Sequence, residues 1–324
     1  MKTCFIGGTG RCGTSILRTI LSRHSRVATL PIEHRLTVDP DGIFDFYRSY
    51  TTGWSPYYAD ARLTRLKNFL EELSSTNPVH KIFRYLFRAF RLAGLSITPK
   101  KYLDVELSHF IPNYSEHVNT LLNELVEFEY TGERLGTRSY SFNNKIQYAP
   151  NYSKEQLKKI FQNFIHSFIQ DILTHNHKDC FIDDNTWNIL FSADLLDLIP
   201  NAKIISVIRD PRDVVASLSK QKWMPSNKAQ SAKIYNDLIV EWIEIRRNLD
   251  KQSWIEVRLE DVVLEPESQI RKICDFIELP WEDNLLEIDL SKSNSGRWKK
   301  DFSVEEQRSV IPLLAEHIKS FGYE

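Results

Sequence analysis

Residues 3–21 constrain the fold more than any other part of the chain. Thr3-Cys4-Phe5-Ile6-Gly7-Gly8 is a short β-rich run ending in glycine, and the Ser15–His24 stretch that follows carries Ile16, Leu17, Ile20 and Leu21 at helical spacing. This pattern predicts strand, tight loop and helix. A second such unit lies at 203–221, where Ile204, Ile205, Val207 and Ile208 form a continuous apolar run, followed by a turn at Asp210-Pro211 and a helix-like segment from Asp213. Unbroken apolar runs suit strands covered on both faces, and buried strands alternating with helices imply a parallel sheet. The expected fold is therefore α/β: a parallel sheet flanked by helices. Residues 254–259 and 179–183 supply further strands.

Apolar residues recurring at three and four predict helices over 61–74, 78–93, 116–129, 153–175, 228–250, 266–278 and 303–321. Two stretches, 36–60 and 130–152, are rich in Tyr, Asn, Ser, Gly and Pro without such a period and read as long loops, which in compact domains often serve binding. No internal repeat, low-complexity tract or linker separates parts of the chain, so residues 1–324 are read as one domain with a helical and loop-rich insertion at about 37–175.

Forty-two basic and 43 acidic side chains leave a formal net charge of −1, so no global excess of positive charge points to nucleic acid, and any anion site must be local. The start runs directly into a strand without the apolar core of a signal peptide, and charge interrupts every apolar stretch short of the ~18 residues of a membrane span. The expectation is a soluble cytoplasmic protein that begins at Met1 and has no membrane span. Cys4, Cys12, Cys180 and Cys274 lie far apart without paired metal-ligand spacing, which suits a reducing compartment and predicts no metal site.

Between the first strand and helix, Gly7-Gly8-Thr9-Gly10-Arg11-Cys12-Gly13-Thr14-Ser15 has the chemistry of an anion loop. Glycines allow positive φ and close backbone approach, so successive N–H groups turn inward at a helix N-terminus, where the dipole also favours negative charge. Thr14 and Ser15 add hydroxyls, and Arg11 adds a cation. From Gly8 to Ser15 the loop meets the nucleotide pattern G-x-x-x-x-G-K-[ST] everywhere except at Thr14, which occupies the lysine position. A ligand-free strand-to-helix turn would need only one glycine.

In the second unit Arg209 ends a buried strand and Ser217 lies about two turns into the next helix. Strand ends of parallel sheets open onto the ligand crevice. A structural turn is the other reading, with Asp210 or Asp213 capping the helix and the arginines paired locally.

Together the two elements closely resemble the sulfotransferase superfamily, with a pattern nearest to bacterial, tyrosylprotein and carbohydrate-type members. The resemblance extends to 257–281 and to Ser295-Gly296-Arg297-Trp298-Lys299, similar to the family's late basic loop. It leaves 37–150 uncovered, and it implies a three-layer, P-loop-like α/β fold. It implies transfer of a sulfuryl group from 3′-phosphoadenosine 5′-phosphosulfate (PAPS) to a hydroxyl or amine, with adenosine 3′,5′-bisphosphate (PAP) as product and no metal required. It further implies that Gly10, Arg11, Cys12, Gly13, Thr14 and Ser15 meet the 5′ side of the donor, and that Arg209, Ser217, Gly296, Arg297, Trp298 and Lys299 meet its 3′-phosphate end. The donor site would then come from 5–35 and 180–300, and the insertion would form the acceptor side. Ile16 and Leu259 stand where many members carry aromatic residues that contact the adenine. Asp183-Asp184-Asn185-Thr186-Trp187-Asn188 resembles the family's Lys-Thr-Pro-x-Asn segment, with Asn185 for lysine and Trp187 for proline.

Sulfuryl transfer needs in-line geometry and charge stabilisation on the departing oxygen, which suits Arg11, and a base to take the acceptor proton. Glu33, with Arg35 two residues on, resembles the catalytic glutamate of tyrosylprotein sulfotransferases and is the first candidate; an ion-paired surface glutamate is the other reading. His34 is the second candidate, because imidazole titrates near neutrality. Asp184 is the third, although it equally suits capping a helix that begins near Thr186. Lys81, Arg84, Arg88 and Arg91 share one face of the 78–93 helix, and Phe83, Phe87 and Phe90 another, which reads as a solvated face or as a site for an acidic acceptor. The acceptor stays unidentified among glycan, small natural product and peptide tyrosine. A P-loop kinase and an inactive nucleotide-binding module are the competing functions.

Overall fold

The computed structural model describes residues 1–74, 94, 102, 105–133, 145–290 and 294–324. The chain divides into two compact units, one of Met1–Thr29 with Lys178–Glu324 and the other of Leu30–His177.

The first unit is built on a five-stranded parallel sheet. Its strands are β1 (Lys2–Gly8), β2 (Val27–Ala28), β5 (Cys180–Asp184), β6 (Lys203–Ile208) and β7 (Trp254–Arg258), in the order β2-β5-β1-β6-β7. The continuous apolar runs predict this arrangement correctly: β1 is buried from Thr3 through Gly8, and β6 from Ile204 through Ile208. Helices flank the sheet, and the core between them joins Cys4, Ile6, Ile205 and Val207 of the strands to Leu17, Val214, Val215, Ile239 and Ile273 of the helices. Register aligns the carboxyl ends of neighbouring strands, with Gly8 opposite Val207 and Ile6 opposite Asp184. The loop after β1 and the turn after β6 thus emerge side by side.

The second unit is mostly helical. Among the described residues its longest helix, Lys154–Asn176, opens on the capping box of Ser153 and Gln156, close to the expected start. Tyr114–Leu125 packs against it and Pro56–Ser74 packs in turn against Tyr114–Leu125, where Tyr114 donates a buried hydrogen bond of 2.9 Å to the carbonyl of Leu70.

Two expectations are corrected here. Residues 36–60 are not a long loop: Ile43–Thr52 is helical, and the next helix begins at Pro56 rather than at 61. Ile43, Phe44, Phe46, Tyr47 and Tyr50 are its buried residues, and Phe46 lies 5.7 Å from Phe161. Tyr47 and Tyr50, which read as loop composition, are core residues, and the Tyr50 hydroxyl donates to the carbonyl of Pro150 at 2.6 Å. Pro56 marks a helix start because its missing N–H costs nothing in the first turn. Residues 116–129 and 130–152 are also not one helix and one loop. The helix ends at Leu125, and Phe128–Thr131 (β3) pairs antiparallel with Lys145–Tyr148 (β4). The helix expected over 78–93, with Lys81, Arg84, Arg88, Arg91 and the three phenylalanines, lies outside the described residues, as does the 134–144 part of the second expected loop.

Candidate functional site

The loop after β1 has the backbone that its glycines predict. Gly10, Arg11 and Gly13 are left-handed, with φ of 82°, 59° and 107°. Gly13 sits just before the helix Thr14–Leu21, and a Cβ there would lie 2.7 Å from the Leu259 side chain. A Cβ on Gly8 would collide with the Cys12 sulfur and lie 2.8 Å from the carbonyl of Val207. Cys12 is fully buried. Burial pushes its thiol up, while the N–H groups of Thr9, Thr14, Cys12 and Gly10 act in the opposite sense, so the sulfur lies at the floor of the loop. Among the described residues, the N–H groups of Gly10 through Gly13 donate to no protein oxygen. A loop of this form carries amides without an oxygen acceptor at a helix N-terminus, where an anion is favoured.

Arg209 follows β6 and is buried, with its head held from three directions. Nη1 donates to the carbonyl of Arg11 at 3.3 Å, and Nη2 donates to the carbonyl of Asn294 at 2.7 Å and to Asp213 Oδ2 at 3.4 Å. Its Nε is buried without a hydrogen-bond partner among the described residues. Arg11 Nε donates to Ser217 Oγ at 3.1 Å, so the loop and the second element meet. Ser217 lies in the helix Pro211–Leu218, which Asp210 caps by accepting from the N–H of Arg212 at 2.9 Å.

The late loop joins this group. Asp213 accepts from the N–H of Gly296 at 2.7 Å and from that of Trp298 at 2.9 Å. The Arg212 guanidinium lies 4.5 Å from the Trp298 ring centroid and the Lys299 ammonium 5.8 Å from it. Arg297 pairs with Asp301 at 2.8 Å, and Lys220 pairs with the same carboxylate, holding it below the usual carboxylate range. The structure thus brings Gly10, Arg11, Cys12, Gly13, Thr14, Ser15, Arg209, Ser217, Gly296, Arg297, Trp298 and Lys299 into one unit. The local pairing of Arg209 and Arg212 coexists with this convergence.

Asp184 is not a helix cap. Asn185 performs that role by accepting from the N–H of Trp187 at 3.1 Å, and buried Asp184 pairs with Arg18 at 2.8 Å. Asp183 accepts from Asn188 at 2.9 Å, and the same amide bonds the carbonyl of Ile6 at 3.1 Å. Leu259 belongs to the core beneath Gly13, so nothing aromatic occupies that place.

Glu33 and His34 belong to the second unit. Glu33 pairs with Arg35, whose φ is 63°, and Arg35 also approaches Asp39 at 3.7 Å. His34 is buried, accepts at Nδ1 from the N–H of Leu36 at 3.1 Å and meets Phe168 edge-on at 5.8 Å.

Sequence reasoning missed Asp213 as a tie to the late loop, Arg18 as the partner of Asp184, and Trp223. Trp223 is half exposed, lies 6.4 Å from Trp187 and would meet a Cβ at Gly10 at 3.1 Å. The only sign of the first was the spacing of Arg209 and Asp213 by one helical turn. A cavity of about 740 Å³ lies at the amino ends of the strands, away from the loop. Its two lysines are engaged within the unit, Lys2 by Glu278 and Lys203 by the carbonyl of Gln252.

The sulfotransferase family profile matches residues 103–283, more than half of the chain. The chain belongs to the sulfotransferase family. The first loop lies outside the matched stretch and stands on its own geometry. Among similar proteins, protein-tyrosine sulfotransferase A of Caenorhabditis elegans is 28% identical over 153 residues, covering 43% of this chain and 40% of that protein. The protein-tyrosine sulfotransferase of Drosophila melanogaster is 33% identical over 97 residues, covering 28% and 19%. The matches thus span less than half the length of these two relatives. The sulfotransferase domain of the Synechococcus PCC 7002 olefin synthase shares the fold, with a TM-score of 0.54 and 15% identity over 99% of this chain and 94% of that one.

Proposed function

We propose that the chain transfers a sulfuryl group from PAPS to a hydroxyl or amine of an acceptor, without a metal. The observation that carries this reading is the Nε of Arg209, a buried cationic donor without a partner among the described residues, on an arginine bonded to the loop whose amides have no oxygen acceptor among those residues. A ligand with two separate anionic groups answers both features. The residues suit such a donor: Gly10 through Ser15 cradle the 5′ phosphosulfate, and Arg209 with Ser217 takes the 3′-phosphate beside Gly296, Arg297, Trp298 and Lys299.

When bound, the donor supplies an activated sulfur centre. Arg11 and the loop amides hold that end in line and stabilise negative charge on the departing oxygen. Glu33 accepts the acceptor's proton, with Arg35 paired to it and fixing its orientation; His34 is the alternative base. Acceptor recognition is assigned to residues 37–175. Tyrosine-bearing peptides are the first acceptor class to assay, because the similar worm and fly proteins are named protein-tyrosine sulfotransferases. The four cysteines are all buried and unpaired, which supports a reducing cytoplasmic setting.

Calorimetric titration of PAP, AMP and ATP in the presence of EDTA tests the reading. PAP should bind at least tenfold more tightly than either competitor. Preference for ATP with magnesium would favour a kinase, and PAP binding without turnover on any acceptor would favour an inactive module.

A further inference from the structure

Asp213 has no exposed surface, and a buried carboxylate needs hydrogen-bond donors around it. Two of its donors come from far along the chain, the N–H groups of Gly296 and Trp298 at 2.7 and 2.9 Å. Its own helix contributes to the same connection, because Arg209, one turn earlier, reaches Asp213 with Nη2 and the carbonyl of Asn294 with the same nitrogen. The turn is therefore gripped twice, through its carbonyl by the arginine and through its amides by the carboxylate. It carries two left-handed residues, Asn294 at φ 56° and Gly296 at φ 75°. Glycine adopts that region freely, whereas Asn294 carries a side chain there and depends on its surroundings to hold it, which Arg209 supplies at its carbonyl and Asp213 at the amides that follow.

We infer that Asp213 is a positioning residue that locks the 294–298 turn onto Arg209 and thereby sets selectivity for nucleotides bearing a 3′-phosphate. The inference rests on the donor reading above. Both carboxylate oxygens face protein N–H groups, so Asp213 holds the site together without presenting its own charge to a phosphate. With Nη1 on Arg11 and Nη2 on Asn294 and Asp213, rotation of the guanidinium is blocked and Nε keeps its direction. Loss of the carboxylate removes the acceptor for two amides and one of the restraints on the arginine. The 5′ loop keeps its own glycine-determined backbone.

Asp213→Asn tests this, because it keeps the volume but places an NH₂ where one oxygen met donors. PAP and AMP are titrated against wild type and variant, with thermal unfolding followed in parallel. The expected result is a loss of at least tenfold for PAP and less than about twofold for AMP, so that discrimination collapses. Equal weakening of both ligands, or an unchanged ratio with a lower Tm, identifies Asp213 as merely structural and overturns the inference. Gly296→Ala guards against a variant that fails to fold. Its Cβ meets no atom within 4 Å, but its φ of 75° disfavours a side chain, so the turn loosens while Asp213 and Arg209 stay intact. A several-fold loss confined to PAP supports the clamp, and unchanged PAP affinity overturns it. A wild-type protein that binds PAP and AMP alike overturns the donor reading and the clamp with it, whereas discrimination preserved in both variants overturns the clamp alone.

Discussion

Arg11 and Ser217 stand 206 residues apart in the chain and are joined by a hydrogen bond of 3.1 Å from Nε to Oγ. The bond couples the two elements that the sequence offers as anion sites. Parallel pairing of β1 with β6 makes it possible by carrying both strand ends to the same edge of the sheet.

Ser217→Ala should weaken PAP binding by about two- to tenfold, since a hydrogen bond of this kind contributes roughly 0.5–1.5 kcal/mol. Arg11 is exposed, so water replaces the lost partner and Tm should barely move. Calorimetry and thermal unfolding measured together check the split. Unchanged affinity with a lower Tm would assign Ser217 to packing alone.

Gly13→Ala meets two obstacles, the left-handed backbone and the Leu259 side chain. Donor binding should be lost or fall by more than about tenfold, because the left-handed conformation alone costs a side chain roughly 1–2 kcal/mol. Adding Leu259→Ala removes the collision but not the backbone cost, so the double variant should recover affinity only in part. Full recovery would show that crowding alone demands the glycine.

Glu33→Gln keeps size but accepts a proton poorly, so the single-turnover chemical step should drop by about 10²-fold or more while PAP affinity stays within a few-fold. A structural pair with Arg35 predicts a lower Tm and a modest rate change instead, since partly exposed ion pairs contribute only about 0–1 kcal/mol. His34→Ala is the control: loss of turnover there, with Glu33→Gln active, would move the base to His34.

Burial lowers the pKa of His317 from its ordinary value of 6.5. The ring lies against Tyr235 and Phe321, and its Nδ1 has no hydrogen-bond partner among the described residues. The unfolded chain therefore binds the proton more readily. The stability contributed by neutral His317 is fully present above pH 6.5 and is lost as pH falls toward the lowered native pKa. Urea unfolding at pH 8 and pH 5 should show a decline that is smaller in His317→Leu. An equal decline in both proteins would place the titration elsewhere.

Much of the first unit is legible from residue order. Buried parallel strands need apolar residues on both faces, so β1 and β6 stand out as unbroken runs, and the loop after β1 carries glycines where the backbone must turn left-handed. The second unit is less legible, because Phe46, Tyr47 and Tyr50 signal a helix only when Phe161 and the backbone at Pro150 are present to bury the rings and bond the hydroxyl.

Residue types and local spacing alone determined that this chain would offer an anion loop at Gly7–Ser15 and an arginine at the end of a second buried strand. Tertiary structure alone decided how the candidate charges are engaged. Arg297 is paired with Asp301, Asp184 with Arg18, and Asp213 with amides 83 and 85 residues away, while Arg209 keeps one buried donor without a partner among the described residues. The physical reason is range: backbone conformation answers to immediate neighbours, whereas the partner of a buried charge is whichever group the folded sheet and helices bring within about 3 Å of it.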